Sequence, residues 1–118
     1  MSEEIVTNEQ GGKGSRILSQ CTEFPPIAYL AISRVMGNGA KKYPREDGRP
    51  NWHKLTSQEN LDHCLEHLAW VLVANNGYLE RNETINELAH GAARACMALE
   101  RHIMEHFDNY DEALETIK

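Results

Sequence analysis

The chain has 118 residues, with 12 Lys and Arg against 18 Asp and Glu and a formal net charge of −6. That length fits one domain with a modest core, and an acidic balance argues against a general nucleic-acid binder, which carries a basic surplus. No N-terminal apolar stretch resembles a signal peptide, and no apolar run is long enough to span a membrane. Cys21, Cys64 and Cys96 are scattered, with no CxxC pair, which fits a reducing compartment, and Cys64 and Cys96 fall in apolar helical patterns that suggest small buried thiols.

In chain order, residues 1–20 are polar and glycine-rich, with too few apolar side chains to offset the entropy of ordering, and are expected to form a flexible tail ahead of one domain over 21–118. "GGKGS" at 11–15 lacks the GxxxxGK[ST] spacing of a phosphate loop. Pro25 and Pro26 suit the first turn of a helix whose apolar positions are Ile27, Leu30, Ala31, Ile32, Val35 and Met36, with Gly37-Asn38-Gly39 as the stop signal. Residues 39–55 then read as a long connection. A strong helix follows over 56–77, capped by Thr56 or Ser57, with Leu61, Cys64, Leu65, Leu68, Val71 and Leu72 as its buried face and Asn75-Asn76-Gly77 as its end. A second strong helix runs from about 82 to 106, with Ile85, Leu88, Ala92, Ala95, Cys96, Leu99 and Ile103 on its apolar side, and its alanines and Gly91 imply close helix packing. "DNYDEALETIK" adds a short final helix. No segment shows the period-two alternation of a strand, so the expected fold is all-α.

Two polar stripes stand out. On the second long helix Glu83, Glu87, His90 and Arg94 fall at steps of four, three and four, on one face. On the first, Asp62 and Glu66 share a face bordering the buried arc, while His63 and His67 turn further toward solvent. Paired carboxylate stripes on antiparallel helices can hold divalent metal, and Mg²⁺ or Mn²⁺ prefers such oxygen ligands. For any single acidic residue, a solvated face with local ion pairs is the simpler expectation.

The connection before these helices concentrates positive charge in Lys41, Lys42, Arg45, Arg49 and Lys54, with Tyr43 and Trp52 as flat aromatic faces. Cations for phosphate and an aromatic for a base are what a nucleotide needs. A charged surface loop with Trp52 packed into the core is the plainer alternative.

The order of short motifs resembles a known family. "DHCLE" (62–66) and "ELAH" (87–90) resemble the EExxE and ExxD elements of the all-α MazG-like nucleoside triphosphate pyrophosphohydrolases, with His90 where Asp usually stands. "GAKKY" (39–43), "NW" (51–52), "EHLAW" (66–70) and "ELAHGA" (87–92) resemble, in series, the phage and bacterial dATP/dGTP diphosphohydrolase-like group, which often has a basic residue where Glu66 stands. The resemblance implies a small helical bundle completed by homo-oligomerisation as a dimer or tetramer. It also implies metal-dependent hydrolysis of a purine dNTP such as dATP or dGTP to the monophosphate and pyrophosphate, in phage or cellular nucleotide-pool control. Carried onto this chain, Asp62, Glu66, Glu87 and His90 become the ligands of Mg²⁺ or Mn²⁺, with Glu66 and Glu87 catalytic. Lys41, Lys42, Lys54 and Arg94 become phosphate-binding groups, and Asn51 and Trp52 contacts to base or sugar. The partner is then a small nucleotide, with no nucleic acid or membrane, in the cytoplasm, of a bacterial host if the chain is phage-encoded. The competing expectation is a non-catalytic helical oligomeric or regulatory module that binds nucleotide. A His-Asp phosphohydrolase is disfavoured, because Asp62-His63 reverses the order and no second pair supports it.

Overall fold

The structure, a computed structural model, describes residues 4–7, 9–11, 13–16, 24–75 and 80–118. The described helices are α1 (Pro26–Lys42), α2 (Ser57–Asn75), α3 (Arg81–His106) and α4 (Tyr110–Glu115), with a single 3-10 turn over Asn51–Lys54. The fold is an all-α small bundle with α3 at its centre, packed along α2 and against α1. Cys21 and the residues after Asn75 that were expected to end α2 lie outside the described residues.

Within the expected N-terminal tail, strands β1 (Glu4–Thr7) and β2 (Lys13–Arg16) pair antiparallel, with Glu4 opposite Arg16 and Thr7 opposite Lys13. The pairing is local, and Gly11 takes a positive φ of 81° in the connection, which favours glycine. Lys13, Gly14 and Ser15 thus sit in a strand and not at the start of a helix, which removes the phosphate-loop context.

Helix α1 begins as expected, with Pro26 in its first turn, but runs through Gly37-Asn38-Gly39 to Lys42. Both glycines keep helical backbone, and the Tyr43 N–H donates to the Gly39 carbonyl at 2.8 Å. Each glycine costs about 1 kcal/mol against alanine without forcing a stop. The residue before Pro44 cannot stay helical without a clash, and there the helix ends. The remaining connection is tightened by Asp47 (φ 53°) and Gly48 (φ 73°), between the mutual backbone bonds of Glu46 and Arg49. Two positive φ values between one bridging pair are the signature of a type I′ turn, for which Asp-Gly is the preferred dipeptide.

Thr56 is the cap of α2. Its hydroxyl accepts from the Glu59 N–H at 3.0 Å while the Glu59 carboxylate accepts from the Thr56 N–H at 3.2 Å, a reciprocal capping box. The same end is clamped by α3. Glu105 accepts from the Ser57 N–H and hydroxyl, both at 2.8 Å, and Arg101 Nε donates to the Leu55 carbonyl at 2.9 Å. The bonds from Ser57 hold the Glu105 carboxyl below its ordinary pKa, since they favour the charged form. Asn109 caps α4 by accepting from the Glu112 N–H, and Ala113 is buried.

Burial differs from the expected helical faces. Of the apolar arc on α2 only Cys64 is buried, and Leu65 and Leu72 remain 54% and 65% exposed. On α3 the buried positions are Ala89, Gly91 and Ala93, whereas Ile85, Leu88, Leu99 and Cys96 are exposed. The small residues let the helix backbones approach. A Cβ at Gly91 would stand 3.1 Å from Leu68 Cδ2 and 3.5 Å from His67 Cβ. Close packing at Gly91 is as expected, while Ile85, Leu88 and Leu99 stay largely exposed. Among the described residues no helix is long and apolar enough to cross a membrane.

Candidate functional site

The stripe Glu83, Glu87, His90 and Arg94 turns toward α2, apart from the exposed Glu83 at its start. Its partners on α2 are Asn60 and His67. Arg94 Nη1 donates to Asn60 Oδ1 at 3.1 Å, and His67 Nδ1 meets Glu87 Oε2 at 2.6 Å. Seven residues forward along α2 match seven backward along α3, the register of an antiparallel pair. Asn60, Cys64 and His67 repeat the four-three step of the α3 stripe, so buried Cys64 lies between the two polar links. His90 Nδ1 bonds its own helix at the Asn86 carbonyl, 2.8 Å away, and its ring lies 5.2 Å from that of His67.

Asp62 and Glu66 point elsewhere. Both are exposed, and Asp62 accepts from Gln58 at 2.8 Å on its own helix. The expected meeting of Asp62 and Glu66 with Glu87 is replaced by His67 with Glu87, because one residue along a helix rotates the side chain by about 100°. The expected placement of His67 toward solvent is corrected in the same way. Among the described residues, no group of three or more His, Cys, Asp or Glu side chains is placed to hold a metal ion. The donor set does not fit an ion within one chain: Glu87 is engaged by His67, and Asp62 and Glu66 lie on the exposed arc.

A cavity of about 650 Å³ opens beside this stripe, between the C-terminal end of α1, the 43–50 connection, the 51–54 turn and α3. Lys42, Arg45 and Arg94 bring positive charge to it, and Tyr43 and Trp52 bring aromatic faces. Asn51, His53 and His90 complete the polar lining. The size falls within the range of small-molecule and cofactor sites. Lys42 Nζ stands 5.3 Å from the Tyr43 ring centroid, and His53 packs edge-on to Trp52 at 4.2 Å. Partial burial, then the Arg101 and Arg49 guanidiniums, lower the pKa of His53.

Of the residues expected to bind nucleotide, the cavity gathers Lys42, Asn51, Trp52 and Arg94, together with His90. Lys41 and Lys54 do not line it, and Lys54 is bound to Glu46 across the turn, which lowers the Glu46 pKa. Arg45 is the lining cation that motif reading left unassigned. Its Nη1 donates to the Gly48 carbonyl at 3.1 Å, so the Asp-Gly turn places it, and that dipeptide was the available signal. Asn60 was also missed, and nothing in an amide between Glu59 and Leu61 marks it out.

The family profile described as dATP/dGTP diphosphohydrolase, N-terminal, matches residues 8–112. The chain belongs to this family. No curated protein and no solved structure matches it. The match spans both polar stripes and all four sides of the cavity, and it agrees with the series from "GAKKY" to "ELAHGA" that pointed to the dATP/dGTP diphosphohydrolase group.

Proposed function

We propose that the chain hydrolyses a purine deoxynucleoside triphosphate, such as dATP or dGTP, to the monophosphate and pyrophosphate, in phage or cellular nucleotide-pool control. The observation that carries this reading is the cavity in which Lys42, Arg45 and Arg94 face Tyr43 and Trp52. Cations offset the charge of a polyphosphate, and an aromatic face takes a base whatever its edge pattern. Family membership supplies the reaction class. In this reading water attacks the α-phosphorus, the bond to the bridging oxygen breaks, and pyrophosphate leaves. Glu87, which does not itself line the cavity, takes the water's proton from one turn before His90, which does, and His67 orients its carboxylate. Glu66, the other candidate base, is exposed on α2.

Dependence on Mg²⁺ or Mn²⁺ belongs to the proposal through the family resemblance. Homo-oligomerisation belongs to it as well. Leu65, Trp70, Ile85, Leu88 and Leu99 are exposed on the two longest helices, and a second copy could cover such large apolar side chains.

The pairing of Glu87 with His67 favours a second reading, a module that binds nucleotide without turning it over. One experiment separates the two. The chain is incubated with dATP, dGTP and the other nucleoside triphosphates, with Mg²⁺ or Mn²⁺, and the products are identified. Monophosphate with pyrophosphate is the expected result. Binding without turnover leaves the second reading, and nucleoside with triphosphate refutes the proposed cleavage.

A further inference from the structure

Asn60 is fully buried, the only polar side chain among the described residues that is. It does not line the cavity, yet it touches two elements that do. Its Oδ1 accepts from Arg94 Nη1 at 3.1 Å. Its Nδ2 donates to the Thr56 carbonyl at 3.0 Å and makes a longer, 3.5 Å contact to the Trp52 carbonyl. The amide orientation follows from these partners. A guanidinium can only donate and a carbonyl can only accept, so the flipped amide would oppose every contact.

We infer that Asn60 is a positioning residue for the phosphate-binding end of the cavity, acting through Arg94; this rests on the nucleotide reading given above. The side chain does two things at once. It fixes the Arg94 fork relative to the 51–54 turn, and so relative to Trp52. It also does so without charge. A buried Asp at this position would meet the same guanidinium as an ion pair and cancel the charge that a polyphosphate needs. Its second carboxylate oxygen would also face two backbone carbonyls. An amide satisfies the buried arginine nitrogen and leaves its positive charge directed at the cavity.

The test uses inorganic triphosphate as the probe, titrated calorimetrically into the full chain. The variants are Asn60→Asp, Asn60→Thr, Arg94→Gln and each Asn60 variant combined with Arg94→Gln. Thr is too short to reach Arg94, but its hydroxyl can still bond the Thr56 carbonyl one turn back. It therefore removes the anchor and keeps the charge. The expected order of affinity is wild type, then Asn60→Thr, weaker by about threefold, then Asn60→Asp, weaker by about tenfold. In the Arg94→Gln background Asn60→Thr should not weaken binding further, because its route of action is gone. A merely structural role would lower affinity in both backgrounds, and that result overturns the inference. So does triphosphate binding that is unchanged in both Asn60 variants. If Asn60→Asp does not fold, the cycle with Asn60→Thr decides alone. A wild-type chain that binds no triphosphate overturns the nucleotide reading and this inference together.

Discussion

Replacing Glu87 by Gln tests the link between the two long helices and the proposed chemistry in one variant. In the native chain Glu87 Oε2 lies 2.6 Å from His67 Nδ1, and the two side chains are only 23% and 27% exposed. A hydrogen bond to a charged group in such a setting contributes about 1.5–3 kcal/mol, and a neutral one about 1 kcal/mol. Gln keeps the shape and can still bond the imidazole, so the expected loss of stability is about 1 kcal/mol. For a chain of this size that lowers Tm by about 4–6 °C at fixed protein concentration. The variant therefore stays folded at 25 °C, where activity is measured. Pyrophosphate release from dATP and dGTP should fall by a factor of about 10²–10⁴, the contribution of a positioned base. Adding His67→Ala to each background measures the coupling, expected at about 1 kcal/mol and not zero. Glu87→Gln that releases pyrophosphate at the wild-type rate would refute the role given to Glu87. Strictly additive Tm losses in the cycle would refute the pairing.

Lys54→Ala should leave nucleotide affinity within about twofold, because Lys54 is engaged by Glu46 off the cavity and exposed pairs contribute little, whereas Arg45→Ala should weaken it about tenfold; a titration that reverses this ranking is evidence against the cavity as the site. Gly91→Ala should be nearly neutral, since a helix-propensity gain of about 1 kcal/mol offsets crowding against the movable end of Leu68, while Gly91→Val should cost about 1–3 kcal/mol by denaturant titration. Glu105→Gln should lower Tm at pH 7. The folded-state pKa of Glu105 is depressed by the bonds from Ser57, so its contribution is present above the unfolded carboxylate pKa of about 4.3 and is lost as pH falls through the lower folded value. The Tm gap between variant and wild type should close below that range, and a gap that persists unchanged to pH 2 contradicts the assignment.

How far the site could be read from sequence depends on which quantity each signal measures. Helix α3 was legible almost to the residue, because a 26-residue periodic pattern overdetermines a helix. The shared face of Glu87, His90 and Arg94 followed from spacing alone. The face opposite them did not. On α2, Asp62 and Glu66 are one turn apart, but so are Asn60 and Cys64, and Cys64 and His67 lie three apart. Only packing decides which set meets α3. Charge drew attention to the carboxylates, while burial selected the neutral amide and the imidazole. That choice agrees with the energetics, since enclosing carboxylates without partners is costlier than enclosing an amide whose bonds are made.

The apolar pattern had a related ambiguity. Periodicity in Leu65, Leu72, Ile85, Leu88 and Leu99 shows which side of each helix avoids water, but not whether the same chain or another covers it. The structure answers half of that question. α2 and α3 meet at Gly91, which lies against Leu68 and His67, with Cys64 buried between the polar links at Arg94 and Glu87. A seam of small and polar side chains fixes register well but removes little apolar area from water, at about 25 cal/mol for each Å². Large side chains that could supply more, such as Leu65 and Leu88, remain half exposed to water. Register within the chain and most of the available hydrophobic stabilisation are thus assigned to different side chains. A change at the seam should alter the cavity through Asn60 and His67. A polar substitution at Leu65 or Leu88 should instead act on whatever covers those side chains, making stability more or less dependent on protein concentration without moving Arg94.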